Sequence, residues 1–228
     1  MSDLVAQLDI HHEVIGSTQP DVAAAMGQYT RFGTGFEDVD DGGDPPAFAQ
    51  SSHRDFPLDF ESVLGIYDAD TRRVTCFTKG IAFVATALGV NPFLIERIVR
   101  YHEFAHAHHH LGIKANASPS EAAGLVRMGD EAYRRCLDET KEQIAQLATL
   151  IVIRQRRDKA RAPEAQRILD RMLETFFDLM ARQSSRYRLP PETRDGDLSR
   201  LHAKLGLLID MTDAGMSPSA DHIRRILA

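Results

Sequence analysis

The stretch from Asn91 to Gly112 constrains this chain more than any other. Asn91 offers a side-chain acceptor for a helix start, Pro92 suits the first helical position, and Gly112 suits the residue just past the end. Between them Leu94, Ile98, Tyr101 and Ala105 recur at helical spacing, which predicts a helix of about twenty residues with one side buried along its length. On that helix His102 and His106 stand four residues apart. This spacing stacks two imidazoles on one face, one turn apart, within reach of a single ion. Glu103 follows the first histidine directly. Two neutral imidazoles suit Zn2+, and the neighbouring carboxylate is placed to take a proton from a water on the metal. With 10 His and 12 Glu in 228 residues, the arrangement is expected by chance roughly 0.02 times per chain. A fold built round this helix therefore needs a second element that brings a third ligand.

Composition narrows what such a chain can do. At 228 residues and 43% hydrophobic content it can bury a full core as one large domain with appendages. A formal net charge of -6 and a pI near 5.9 argue against a nucleic-acid partner, because phosphate binding needs clustered cations. The one dense basic run, Arg154 to Arg161, is interrupted by Gln155 and Asp158 and reads as a solvated helix face. Asp3, Asp9 and Glu13 break up the first twenty residues, so no export signal is expected, and no apolar run reaches membrane-spanning length. Cys76 and Cys136 are too few for a disulfide scaffold; both are expected as small buried hydrophobes in a reducing, cytoplasmic setting.

Along the chain, residues 1–60 read as an irregular arm that includes the acidic, Gly/Pro-rich stretch Phe36 to Asp59. Val63 to Tyr67 and Val74 to Thr78, joined by the polar turn Asp68 to Arg73, predict a β-hairpin. A helix over Gly80 to Leu88 should end on Gly89. Beyond the histidine helix, long helices are expected over Asp130 to Arg157 and over Pro163 to about Tyr187, where Leu189-Pro190-Pro191 stops the pattern. Shorter ones follow over Leu198 to Met211 and Ser217 to Leu227. The expected class is α+β, mostly α. It divides into the arm, a core over 61–160 and a C-terminal helical extension over 161–228 packed on that core.

The third ligand is sought beyond His106. A histidine six residues on, with a glycine halfway, is one established solution, but those positions hold Gly112 and His109. A carboxylate on the following helix is the other. Glu142 is the first choice, because Ala145 and Thr149 beside it are small enough to let two helices approach and Gln146 lies one turn along the same face. Glu139, one turn earlier, is the alternative, and Asp138 is a candidate to orient a histidine ligand from outside.

Leu64-Gly65-Ile66-Tyr67, Tyr101-His102-Glu103-Phe104-Ala105-His106-Ala107 and Glu142-Gln143-Ile144-Ala145-Gln146 together resemble the small gluzincin-type metallopeptidases, broadly those of the ImmA/IrrE group. The resemblance spans about residues 60–155. It implies a zincin-like core with the hairpin packed on the histidine helix, ligands His102, His106 and Glu142, and Glu103 as general base. It also implies that Val74 to Thr78 is the strand that pairs with an extended substrate.

Further candidates surround this set. His109 and His110 fall near the metal face, a turn further on, as cleft or supporting residues; solvent-exposed imidazoles are the plainer reading. Tyr133 is a candidate to polarise the scissile carbonyl, against a ring that packs with its hydroxyl in solvent. His53 could fold over the site from the arm. The expected function is zinc-dependent hydrolysis of a peptide or protein substrate. A non-catalytic protein in which zinc pins two helices and the C-terminal helices bind a partner is the rival, and the acidic arm is a candidate plug for the site. Leu169, Met172, Leu173, Phe176, Phe177, Leu179 and Met180 give the C-terminal helices enough apolar surface to cover the core or to join two copies of the chain.

Overall fold

The computed structural model describes residues 64–111, 130–183 and 188–228 in full, and residues 29–30, 37–41 and 113–114 as backbone strands. The hairpin forms as expected. Strand β3 (Gly65–Asp68) pairs antiparallel with β4 (Arg73–Phe77), Gly65 facing Cys76 and Tyr67 facing Val74. Asp68 stabilises the intervening turn by accepting from the amides of Asp70 and Thr71. Arg72 takes a left-handed φ of 54° there.

Two findings depart from the reading of residues 1–60 as irregular. β1 (Tyr29–Thr30) pairs antiparallel with β5 (Ile113–Lys114), and β2 (Glu37–Asp41) runs parallel to β4 in the order β2-β4-β3. An acidic composition resists a strand in isolation, but the free side of β4 offers a row of backbone donors and acceptors that an extended segment can satisfy. β4 is thus the central strand of its sheet. The expected substrate edge at Val74 to Thr78 is corrected accordingly: its second side is taken by β2, and Thr78 already belongs to the next helix.

That helix, α1 (Thr78–Leu88), ends on Gly89 at φ 63°, whose amide reaches back to Thr86. Here a left-handed cap is required, and glycine meets it without strain. Next comes α2 (Pro92–Leu111), the histidine helix. Asn91 Oδ1 accepts from the Phe93 amide at 3.0 Å and so caps its start. Only its first half is amphipathic. From Arg100 to Leu111 every residue is buried, against β3 and β4 on one side and the following helices on the others.

The helix expected over Asp130 to Arg157 is two helices. Residues 130–135 are helical, the chain breaks at Cys136 and Leu137, and α3 runs over Asp138–Lys159. The break has local causes. Leu137 is extended (φ -61°, ψ 142°), its amide donates to Ser217 Oγ at 2.7 Å, and Asp138 and Glu139 then occupy the first turn of α3, where the helix dipole favours acids. α4 spans Pro163–Arg182 and ends where Gln183 turns extended and sends its side chain to Gln146; the expected end at about Tyr187 lies outside the described residues. α5 (Leu198–Asp213) and α6 (Ala220–Leu227) are capped by Asp197 and Ser219. One continuous core runs from Leu64 through Leu147 and Phe176 to Leu227, so the C-terminal helices lie on the core. Cys76 and Cys136 are buried thiols, and among the described residues no helix is long and apolar enough to cross a membrane.

Candidate metal centre

α2 and α3 pack against each other over much of their lengths. Ala105 on one and Ala145, Ala148 and Thr149 on the other are wholly buried and small, which lets the backbones approach. At this crossing His102 Nε2 lies 3.0 Å from Glu142 Oε2, His106 Nε2 lies 3.2 Å from Glu142 Oε1, and the two imidazole Nε2 atoms are 3.1 Å apart. Each residue offers one ligand atom, and all three atoms fall within 4.8 Å of one another. This buried His102, His106 and Glu142 group could hold a metal ion. Among the described residues no other group of histidine, cysteine or acid side chains meets that test. The set of two imidazoles and one carboxylate fits zinc, and it leaves room in a four-coordinate shell for a fourth donor.

The electrostatics of the cluster follow from burial. Desolvation disfavours a charged His102 and lowers its pKa, against the pull of Glu142. His106 feels the same desolvation, but the charge and hydrogen bond of Glu142, together with the charge of Glu103, outweigh it and its pKa is raised. Glu103 is 1% exposed, and burial pushes its carboxyl up to about 8. The His106 ring and the Tyr67 amide, which hydrogen-bonds the carboxylate, pull against that rise, and Glu142 adds to it. Glu103 Oε1 is buried without a hydrogen-bond partner. Oε1 lies against β3 at Gly65, where an added Cβ would stand 2.9 Å from it and 2.5 Å from Val99 Cγ1. Only glycine lets the strand come this near.

The remaining candidates are sorted by the structure. Glu139 does not join the cluster; its Oε1 accepts from the Ala220 amide at 3.2 Å, at the start of α6. Asp138 is 85% exposed and pairs with Lys141, so it orients no histidine. Gln146 donates to Gln183 at 2.6 Å. His109 and His110 are not solvent-facing, because α2 is enclosed on all sides at that depth. The His109 ring nitrogen Nε2 lies 3.0 Å from Thr212 Oγ1, while His110 sits between Tyr67 and Asp130. Tyr133 is buried too, with its hydroxyl 3.5 Å from His106 Nδ1, the ring nitrogen facing away from the ligand cluster, and not in solvent. His53 and the greater part of the acidic stretch lie outside the described residues.

Sequence reasoning missed Gly65, Tyr67 and Asp130 as parts of this site. The signal for His110 was present, since His102, His106 and His110 form one i, i+4, i+8 row. For the other three the link is tertiary and leaves no spacing to read. Comparison of the chain with known protein families, with curated proteins and with solved structures finds no match.

Proposed function

We propose that this protein is a zinc-dependent metallopeptidase with a zincin-like core, in which His102, His106 and Glu142 hold the metal and Glu103 is the general base. The observation that carries this reading is Glu103 itself. A second carboxyl group, buried beside three converging donors and left with an unpartnered oxygen, has no use in a purely structural site and costs stability where it stands. Such a group suits proton transfer. A bound zinc ion supplies Lewis acidity, brings the pKa of its water towards about 7, and adds positive charge that favours ionised Glu103. Glu103 then accepts the proton released from water and delivers it to the departing amine. Tyr133 presses on His106 from behind and fixes the ring whose other nitrogen faces the site.

Glu103→Gln is expected to bind one zinc per chain and to lose turnover of quenched-fluorescent peptides by a factor on the order of 10²–10⁴. His102→Ala, His106→Ala and Glu142→Ala should lose the metal, as read by elemental analysis. Undiminished activity in Glu103→Gln defeats the mechanism, and stoichiometric zinc in Glu142→Ala defeats the ligand set.

One observation favours a second reading. His102 is 1% exposed and His106 5%, an enclosure that suits a zinc used to pin α2 to α3 in a non-catalytic interaction module. Coordination separates the two: water on the zinc favours hydrolysis, a fourth side chain favours structure.

A further inference from the structure

We propose that Tyr67, held by His110 and Asp130, positions the Glu103 carboxylate, so that β3, the end of α2 and the 130–135 helix together form a clamp on the general base. The role of Glu103 rests on the metallopeptidase reading; the clamp itself rests on geometry.

Tyr67 is attached at both ends. Its backbone amide hydrogen-bonds the Glu103 carboxylate, and its hydroxyl lies 2.7 Å from His110 Nδ1. On the other side of that ring, Nε2 lies 2.5 Å from Asp130 Oδ1. The direction of the chain follows from donor chemistry. A carboxylate can only accept, so Nε2 carries the hydrogen of a neutral imidazole, Nδ1 is a lone pair, and the Tyr67 hydroxyl donates to it. Asp130 is gripped in turn by Arg134 Nε at 3.0 and 3.1 Å, and Arg134 Nη1 reaches Asp70 at 2.6 Å in the turn of the same hairpin that carries Tyr67. The links therefore close into a ring, and Tyr67 cannot shift without disturbing a bond at the far side.

Packing removes the remaining freedom. The His110 ring stacks on Tyr133, centroids 4.8 Å apart and planes 27° from parallel, and Tyr133 meets Tyr67 edge-on at 6.3 Å. Gly65, two residues before Tyr67, brings β3 against the Glu103 side chain. A carboxylate with one unpartnered oxygen has little of its own to fix its torsion, so the Tyr67 amide is the group that aims it.

The test uses the zinc-loaded full chain and three variants, Tyr67→Phe, His110→Gln and Asp130→Asn. Hydrogen exchange of the Tyr67 amide, followed by NMR, should quicken about fivefold or more in each, as expected for weakening one hydrogen bond, while the amides that join β3 to β4 keep their rates. Zinc stoichiometry should stay at one. On any quenched-fluorescent peptide that the unmodified protein cleaves, kcat should fall with KM unchanged. An unchanged Tyr67 rate in Tyr67→Phe, or quickening spread evenly along the sheet, overturns the clamp. Should His110→Gln not fold, Tyr67→Phe, which removes a single oxygen, decides alone. Selective quickening in a protein that cleaves no peptide supports the clamp and counts against the peptidase reading, whereas cleavage with an unchanged rate in Tyr67→Phe counts against the clamp alone.

Discussion

Gly65 is where one methyl group would reach Glu103, the proposed general base. A Cβ there meets Val99 Cγ1 at 2.5 Å and Glu103 Oε1 at 2.9 Å, so either β3 moves off α2 or the carboxylate turns away. Gly65→Ala should cost roughly 1–3 kcal/mol in chemical denaturation, the range for overpacking a tight contact. It should also impair turnover without loss of zinc. His109 allows a prediction about acid. Burial, followed by the fields of His106, Lys141 and His110, pushes its pKa down to about 3 from the 6.5 of an exposed imidazole. Between those values the unfolded chain binds a proton that the folded chain refuses, so stability falls as pH drops below about 6.5 and this contribution levels off near 3. His109→Gln keeps a donor for Thr212 and should give the metal-free protein a shallower loss of melting temperature over that window. The pair His102 and His106 was legible because helical spacing alone puts them together, and Glu142 because a small-residue face marks where two helices can meet. Tyr67, Asp130 and the burial of His109 and His110 were not, since each depends on which elements enclose the end of α2.

At the scale of elements, the capped ends of α1 and α2 and the hairpin were readable from local chemistry, and the break before α3 was not. The residues at 136–137 carry no proline or glycine; the chain turns there because Leu137 finds an acceptor in Ser217, eighty residues away. Glu139 serves the same junction by accepting from the Ala220 amide, while Thr140 donates to Pro218 O. Glu139→Ala is therefore expected to lower stability by about 1 kcal/mol and to leave zinc binding intact. Loss of metal in that variant would place Glu139 in the ligand set after all. The strand at Glu37–Asp41 was illegible for a related reason: its composition signals no strand, and only the open side of β4 makes one.

For the whole molecule, the His102, His106 and Glu142 cluster joins α2 to α3 within a core that the C-terminal helices complete. Zinc bound to the folded state alone should stabilise it by about 4 kcal/mol at a free concentration a thousand times its Kd. Chelation should accordingly lower the melting temperature, and His106→Ala should abolish the difference between loaded and stripped protein. A melting temperature indifferent to zinc would mean that the cluster binds none. The enclosure of α2 from Arg100 to Leu111 also bears on how such a protein could diversify. Each side chain there already answers to neighbours on several elements, so on the proposed reading a change of preference for what is bound cannot readily be written into the helix that carries His102, Glu103 and His106. It would have to be written at the hairpin, where Ile66 stands 47% exposed one residue from both Gly65 and Tyr67. Novelty and the proposed mechanism would then fall to adjacent but separate stretches of the chain.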